Sequence, residues 1–141
     1  MTDSSDAHSY DRLPPKHRGV LRPFFALKHS CSGIAATLRS ESAFRQEAAC
    51  ALLLIPIAVF GPVQPLERLA LIASVLLVLL VELLNSAIEA VVDRISPERH
   101  ELSRRAKDCG SAAVMMALVI CALAWGLIFG PHLAHWLAQA L

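Results

Sequence analysis

Three long apolar runs organise the chain. Residues 48–66 are nineteen positions without a charged side chain, close to the roughly 20 residues that carry a helix across a hydrocarbon core of about 30 Å. Pro56 lies inside this run. Membrane helices accept such a kink when neighbouring groups satisfy the carbonyl that the missing N–H leaves free. Gly61-Pro62-Val63-Gln64-Pro65 then reads as a tight turn. The second run, residues 69–81, is interrupted only by Ser74 and continues through Glu82, Asn85 and Glu89 to Val92, before Asp93 and Arg94. As a helix, residues 69–92 would extend roughly 36 Å. The third run, residues 109–130, has no charge and ends at Pro131. A tail with His132, His135 and Trp136 follows, suited to an interface where amphipathic aromatics collect. The pattern predicts an all-α integral membrane protein with spans over about 46–63, 67–93 and 109–130.

Ahead of the first span, Phe24, Leu27, Cys31, Ile34 and Leu38 recur at helical spacing. His29, Gly33, Thr37 and Ser40 fall opposite them, with Lys28 and Arg39 at the shoulder. This predicts an N-terminal amphipathic helix over 22–40 lying in the membrane interface, its Lys and Arg snorkelling toward head groups. Residues 1–19 are polar and Pro-containing and read as a flexible tail, leaving 20–141 as one membrane domain.

Composition agrees with lipid exposure, since 55% of the residues are apolar and 18% charged, against about a quarter charged in soluble domains. A net charge of +1 argues against nucleic acid as a partner. Its placement says more. Seven cations precede the first span, five lie between the second and third, and only Arg68 falls in the turn. Three spans therefore put twelve of thirteen cations on one side, and the positive-inside rule makes that side cytoplasmic, with the C-terminus periplasmic. The first apolar stretch begins too far in for a secretory signal, and the start lacks a myristoylation glycine. Cys31, Cys50, Cys109 and Cys121 show neither zinc spacing nor a disulfide framework and read as small packing residues.

Chemistry concentrates in the second span, where Glu82, Asn85, Glu89 and Asp93 share one helix face. An ionisable side chain within a span costs at least about 2.5 to 3.5 kcal/mol, so function is its default explanation. The spans hold no Lys or Arg partner for Glu82 and Glu89. A divalent metal carrying a phosphate chain would neutralise them, because magnesium favours one or two carboxylates plus phosphate oxygens. No G-x-x-x-x-G-K-[ST] or G-x-G-x-x-G loop is present, so a nucleotide site would have to be built from helices. Glu82 and Glu89 lie about 10 Å apart in depth, too far to share one ion's inner shell from this helix alone. One carboxylate can hold metal while Glu82 takes a proton from an alcohol in the lipid layer. Two other readings stay open: ion pairs that glue a helix bundle, and a small ion-coupled transporter subunit.

The stretch from Val81-Glu82-Leu83-Leu84-Asn85-Ser86-Ala87-Ile88-Glu89 to Asp93-Arg94 resembles the signature of the prokaryotic diacylglycerol kinases, small integral-membrane enzymes. Glu41-Ser42-Ala43-Phe44-Arg45-Gln46-Glu47, and the block from His100-Glu101-Leu102-Ser103 through Ala106-Lys107-Asp108 to Gly110-Ser111, agree in order and spacing. The resemblance covers about residues 20–130. It implies a homotrimer of three-span subunits in the bacterial inner membrane, with active sites shared between neighbours at the cytoplasmic interface. It implies ATP-dependent phosphorylation of diacylglycerol to phosphatidic acid with Mg2+. By the same resemblance Glu82 is the catalytic base and Glu41 and Glu89 hold the metal. Lys107, Asp108, Glu98, His100, Arg22 and His29 face the nucleotide. Asn85 orients the site, while Ala43, Phe44, Arg45, Gln46, Glu47 and Ser111, with Arg22, meet the lipid. Relatives often carry an aromatic in the surface helix where this chain has His29 and Cys31. Undecaprenol kinases share these motifs, but Ser86 and Ala90, with the block ending at Glu47, look more like the diacylglycerol type.

Overall fold

The computed structural model describes residues 22–95, 98 and 100–140, with side chains from Pro23 to His132. The expected tail over 1–19, and the side chains of Arg22, His135 and Trp136, lie outside the described residues. The described residues form four helices and no strand: α1 (Arg22–Ser40), α2 (Ser42–Phe60), α3 (Pro65–Ile95) and α4 (Glu101–Ala140). The chain divides into two units, Met1–Gly33 and Ile34–Leu141, so α1 begins in one and ends in the other. In the first unit Phe24 and Phe25 meet edge to face at 6.5 Å, and Phe24, Leu27 and Cys31 are exposed.

In the second unit three helices are long and apolar enough to cross a membrane: Ser42–Phe60, Pro65–Ile95 and Glu101–His132. α3 packs against both α2 and α4, with no comparable packing between α2 and α4 among the described residues. The buried positions of α3 are Leu71, Ser74, Val75, Val78, Glu82 and Asn85. Leu71, Val75, Val78, Glu82 and Asn85 step by four and three, the seam that a helix offers to close neighbours. That seam is apolar from Leu71 to Val78 and then becomes polar without leaving the face. Leu69, Leu76, Leu80, Leu84 and Val91, on the remainder of α3, are exposed.

The helix ends follow local chemistry. α1 stops at Ser40 because Glu41 takes extended backbone, at φ −102° and ψ 121°, and acts as the N-cap position of α2. The Arg45 guanidinium folds back and donates to the carbonyls of Leu38 at 3.3 Å and Arg39 at 3.2 Å, groups that a helix C-terminus leaves without partners. Arg68 does the same for α2. Its Nε donates to Ala58 O at 3.2 Å, and its Nη2 to Gly61 O and Val63 O at 3.4 Å. Arg68, set apart from the other cations by its position in the sequence, is thus held by a helix end. α3 opens with Pro65 at its first position, and Glu67 Oε2 accepts from Gln64 N–H at 2.9 Å, the returning half of a capping box.

Near this turn the core consists of Ala58, Val63 and Leu71, with Ile72, Trp125, Ile128 and Phe129 against them. Trp125 and Phe129 stack at 5.3 Å. Gly61 is needed there, since a Cβ would run into the Ile57 carbonyl and the Phe129 ring. α2 carries Pro56 without interruption, as expected. α4 starts well before the apolar run at 109 and passes through Pro131 to Ala140, although that run ends at Pro131. Hydropathy marks the part of a helix suited to lipid and does not mark where its backbone ladder stops.

Candidate active site at a carboxylate cluster

The polar end of the α3 seam gathers acidic groups from two helices. Glu82 is 4% exposed and Asn85 9%, whereas Glu89 is half-buried and Asp93 exposed, so the expected stripe runs from interior to surface. The Asn85 amide donates to Glu89 Oε1 at 3.4 Å, one turn further on, and also interacts with the Glu82 carboxyl one turn back. It therefore sets the spacing of the two glutamates. Glu41, at the single-residue break between α1 and α2, lies within Coulombic range of Glu82, as does Glu89. Glu47 faces Glu82 from α2, and its buried Oε2 has no hydrogen-bond partner.

Glu41, Glu47, Glu82 and Glu89 thus surround one region, and among the described residues no ion pair reaches any of them. Like charges in a space poor in water repel strongly and call for a cation. Lys107 of α4 stands at the rim, where Nζ binds Asp93 Oδ1 at 2.6 Å within Coulombic reach of Glu89. The outermost acid of the stripe is therefore paired, and the inner ones are not.

Gly110 makes this approach of α4 possible. A Cβ at Gly110 would collide with Asn85 Oδ1, itself buried and without a partner. The sequence marks Gly110 only as part of a block and gives it no role; a glycine on a helix three residues from a rim lysine was the available signal. Beside the cluster, about 310 Å³ of open groove lies over α3, lined by Ala43, Gln46, Glu47, Cys50, Ala51 and Leu54 of α2, Val75 and Val78 of α3, and Leu118 and Cys121 of α4. Val78 lies one turn from Glu82 on the same seam, so the groove opens under the carboxylates.

Other expected site residues have different surroundings. Ala43, Gln46 and Glu47 line the groove, but Phe44 is buried in packing and Arg45 caps α1. Ser111 is exposed and is not in the groove lining. Asp108 binds Arg104 at 3.0 Å, which also holds Glu101 at 2.7 Å, all on the exposed face of α4. His100 caps α4: its Nδ1 accepts from Leu102 N–H at 3.2 Å and its carbonyl from Arg104 N–H at 3.0 Å. Glu98 is exposed, and His29 belongs to the first unit. No group of three or more His, Cys, Asp or Glu side chains among the described residues could hold a metal by itself.

The family model for prokaryotic diacylglycerol kinase matches residues 28–129, from the middle of α1 to near the end of the apolar part of α4. The chain belongs to the prokaryotic diacylglycerol kinase family. It is 48% identical over 114 residues to the diacylglycerol kinase of Escherichia coli K12, covering 81% of this chain and 93% of that protein. With the diacylglycerol kinase of Pseudomonas aeruginosa PAO1 it shares 49% over 110 residues, covering 78% and 89%. With that of Helicobacter pylori 26695 it shares 41% over 114 residues, covering 81% and 89%. Membership in this family, together with three helices fit to cross a membrane, makes the chain a kinase of multi-pass bacterial membrane type and removes the transporter reading.

Proposed function

We propose that the chain phosphorylates diacylglycerol to phosphatidic acid with Mg·ATP at the cytoplasmic face of the bacterial inner membrane. The observation that carries this reading is the cluster of Glu41, Glu47, Glu82 and Glu89 without a paired cation, set at the head of an apolar groove. Such a site offers a home to a metal-bound polyphosphate on one side and to a lipid on the other.

The donor set suits magnesium. Glu41 and Glu89 would supply two carboxylates, and magnesium takes its remaining oxygens from phosphate and water. Bound there, the ion would neutralise charge on the transferring phosphoryl group. Glu82, the deepest carboxylate, accepts the proton of the lipid hydroxyl as the hydroxyl oxygen bonds to the γ-phosphorus and the bridging P–O bond to ADP breaks. Asn85 keeps Glu82 and Glu89 in register. Lys107 turns from Asp93 toward phosphate oxygens, and Asp108, Glu98 and His100 complete the nucleotide side within the second unit. Gln46 and Glu47 meet the polar part of the lipid at the groove mouth. α1 lies in the interface on its exposed Phe24, Leu27, Ile34 and Leu38, and three copies assemble with sites between them.

The test is phosphoryl transfer from labelled ATP by the purified protein in micelles, with diacylglycerol or undecaprenol offered as acceptor. Labelled phosphatidic acid that disappears on chelating magnesium is expected. Labelling of undecaprenol in preference would assign the other acceptor, and a magnesium-independent rate would remove Glu41 and Glu89 from the metal.

A further inference from the structure

Arg104, to which the reaction above gives no part, spreads its guanidinium between two acids of its own helix. Nη2 binds Glu101 Oε1 at 2.7 Å and Nη1 binds Asp108 Oδ2 at 3.0 Å. The three residues stand three and four apart and form one ridge of α4. Lys107 leaves the same helix toward α3, where it binds Asp93. At about 100° per residue, Arg104 is about 60° round the helix from Lys107 and one turn before it, whereas Arg105 is about 160° away. Arg104 is thus the cation beside Lys107, and Arg105 points to the far side. The side chains of Arg104, Glu101 and Asp108 are all more than half exposed, and ion pairs in that setting add little to stability. Their consequence lies in the field that a charged ligand meets.

A carboxylate on the nucleotide side repels a polyphosphate, and Asp108 stands there directly after the lysine that is to meet the phosphates. Asp93 already occupies Lys107, so this end of α4 without Arg104 would set Asp93, Glu101 and Asp108 around one lysine. We propose that Arg104 sets the affinity for the nucleotide by cancelling the charge of Asp108 and Glu101, so that the arriving polyphosphate meets Lys107 without net repulsion. Arg104 touches no reacting atom and acts as a positioning residue through the acids it holds. The inference rests on the kinase reading of the same site and adds to it a residue that selects ligands by charge. Its size follows from distance. Side chains three apart on a helix have Cβ atoms about 5–6 Å apart, which puts a phosphate on Lys107 about 8 Å from the Arg104 charge. In water a unit charge at about 8 Å changes the affinity of a ligand of charge about −2 roughly sixfold, and screening at about 0.15 M ionic strength lowers this to about twofold. With Mg·ATP at about −2, Mg·ADP at about −1 and adenosine neutral, the effect must fall in that order.

The test is equilibrium binding of Mg·ATP, Mg·ADP and adenosine to the purified full chain in micelles of uncharged detergent. At about 0.01 M ionic strength Arg104→Gln is expected to weaken Mg·ATP about fourfold and Mg·ADP about twofold and to leave adenosine unchanged. At about 0.15 M the loss for Mg·ATP should shrink to about twofold. Arg104→Lys keeps the charge and should bind within about 1.5-fold of wild type. Glu101→Gln should tighten Mg·ATP about twofold at the lower ionic strength, the opposite sign from a loosened first turn of α4. Arg105→Gln removes the same charge from the far side of the helix and should cost only about 1.2-fold at 0.15 M. A loss in Arg104→Gln that is equal for the three ligands, that salt does not reduce, or that Arg105→Gln matches would make these ion pairs structural only and overturn the proposal. A chain that phosphorylates diacylglycerol while its ATP affinity ignores Arg104 refutes the charge role alone. Charge-graded binding without phosphoryl transfer refutes the kinase reading alone.

Discussion

Glu82 is nearly inaccessible, faces three other carboxylates and receives only an amide as a partner. Removing its charge while keeping its shape should therefore affect the proton transfer and little else. Glu82→Gln is expected to lower kcat by about 10²- to 10⁴-fold, the range for loss of a general base, with Mg·ATP affinity changed less than about threefold. Steady-state kinetics and nucleotide-binding calorimetry on one preparation check both. Glu89→Gln and Glu41→Gln should act differently, each raising the magnesium concentration needed for half-maximal rate by about tenfold or more, since each removes one charged ligand. A magnesium titration that is unchanged in both would refute their assignment. The stripe containing Glu82, Asn85 and Glu89 is legible in the sequence because helical periodicity places these residues on one face whatever surrounds them. Glu47 entered the site only by resemblance, as a lipid-side residue, and its place opposite Glu82 was not legible, because no local rule says which residue of another helix faces a given position.

Helices meet here at close quarters through small residues, and their ends are held by two arginines. Gly110→Ala would force a methyl group into Asn85 Oδ1. Overpacking of this kind costs about 1 to 3 kcal/mol, and it would also displace the amide that spaces Glu82 and Glu89. The expected result is a lower unfolding midpoint together with a fall in kcat larger than any change in the KM for ATP. Arg68→Ala should reduce stability by about 1.5 kcal/mol, near the lower end for hydrogen bonds from a charged group because the three distances are long. Its kcat should stay within about twofold of wild type, as the residue lies at the end of the bundle away from the carboxylates. Thermal denaturation and the kinase assay in the same detergent separate these effects. The element types were readable from apolar run length, and the turn at Gly61 from its glycine and prolines. The ends of α4 were not, because a charged or proline-containing turn can remain helical when its backbone groups find partners, as His100 and Arg104 show.

For the molecule as a whole, the one-sided distribution of Lys and Arg predicts an orientation that can be measured. With the N-terminus cytoplasmic and the C-terminus periplasmic, a cysteine added after Leu141 should react in intact cells with a membrane-impermeant maleimide. One added before Thr2 should react only after the inner membrane is opened. The opposite pattern would place the carboxylate cluster on the side without ATP and sink the proposed reaction. Exposed Leu69, Leu76, Leu80, Leu84 and Val91 on α3 are available to lipid or to further copies of the chain. Chemical crosslinking in native membranes should yield a ladder ending at three copies if the proposed trimer forms.

The sequence by itself determined what depends on one helix at a time: three apolar lengths matched to a bilayer, a sided charge, and a face on α3 that turns from Val78 to Glu82. Those are consequences of helical rise and period, which need no knowledge of neighbours. Only the tertiary structure decided which acids of α2 meet those of α3, that Arg45 and Arg68 serve helix ends, and that Lys107 reaches Asp93. These are matters of contact between separate helices, and they are set by how closely small residues such as Gly110 let the backbones approach.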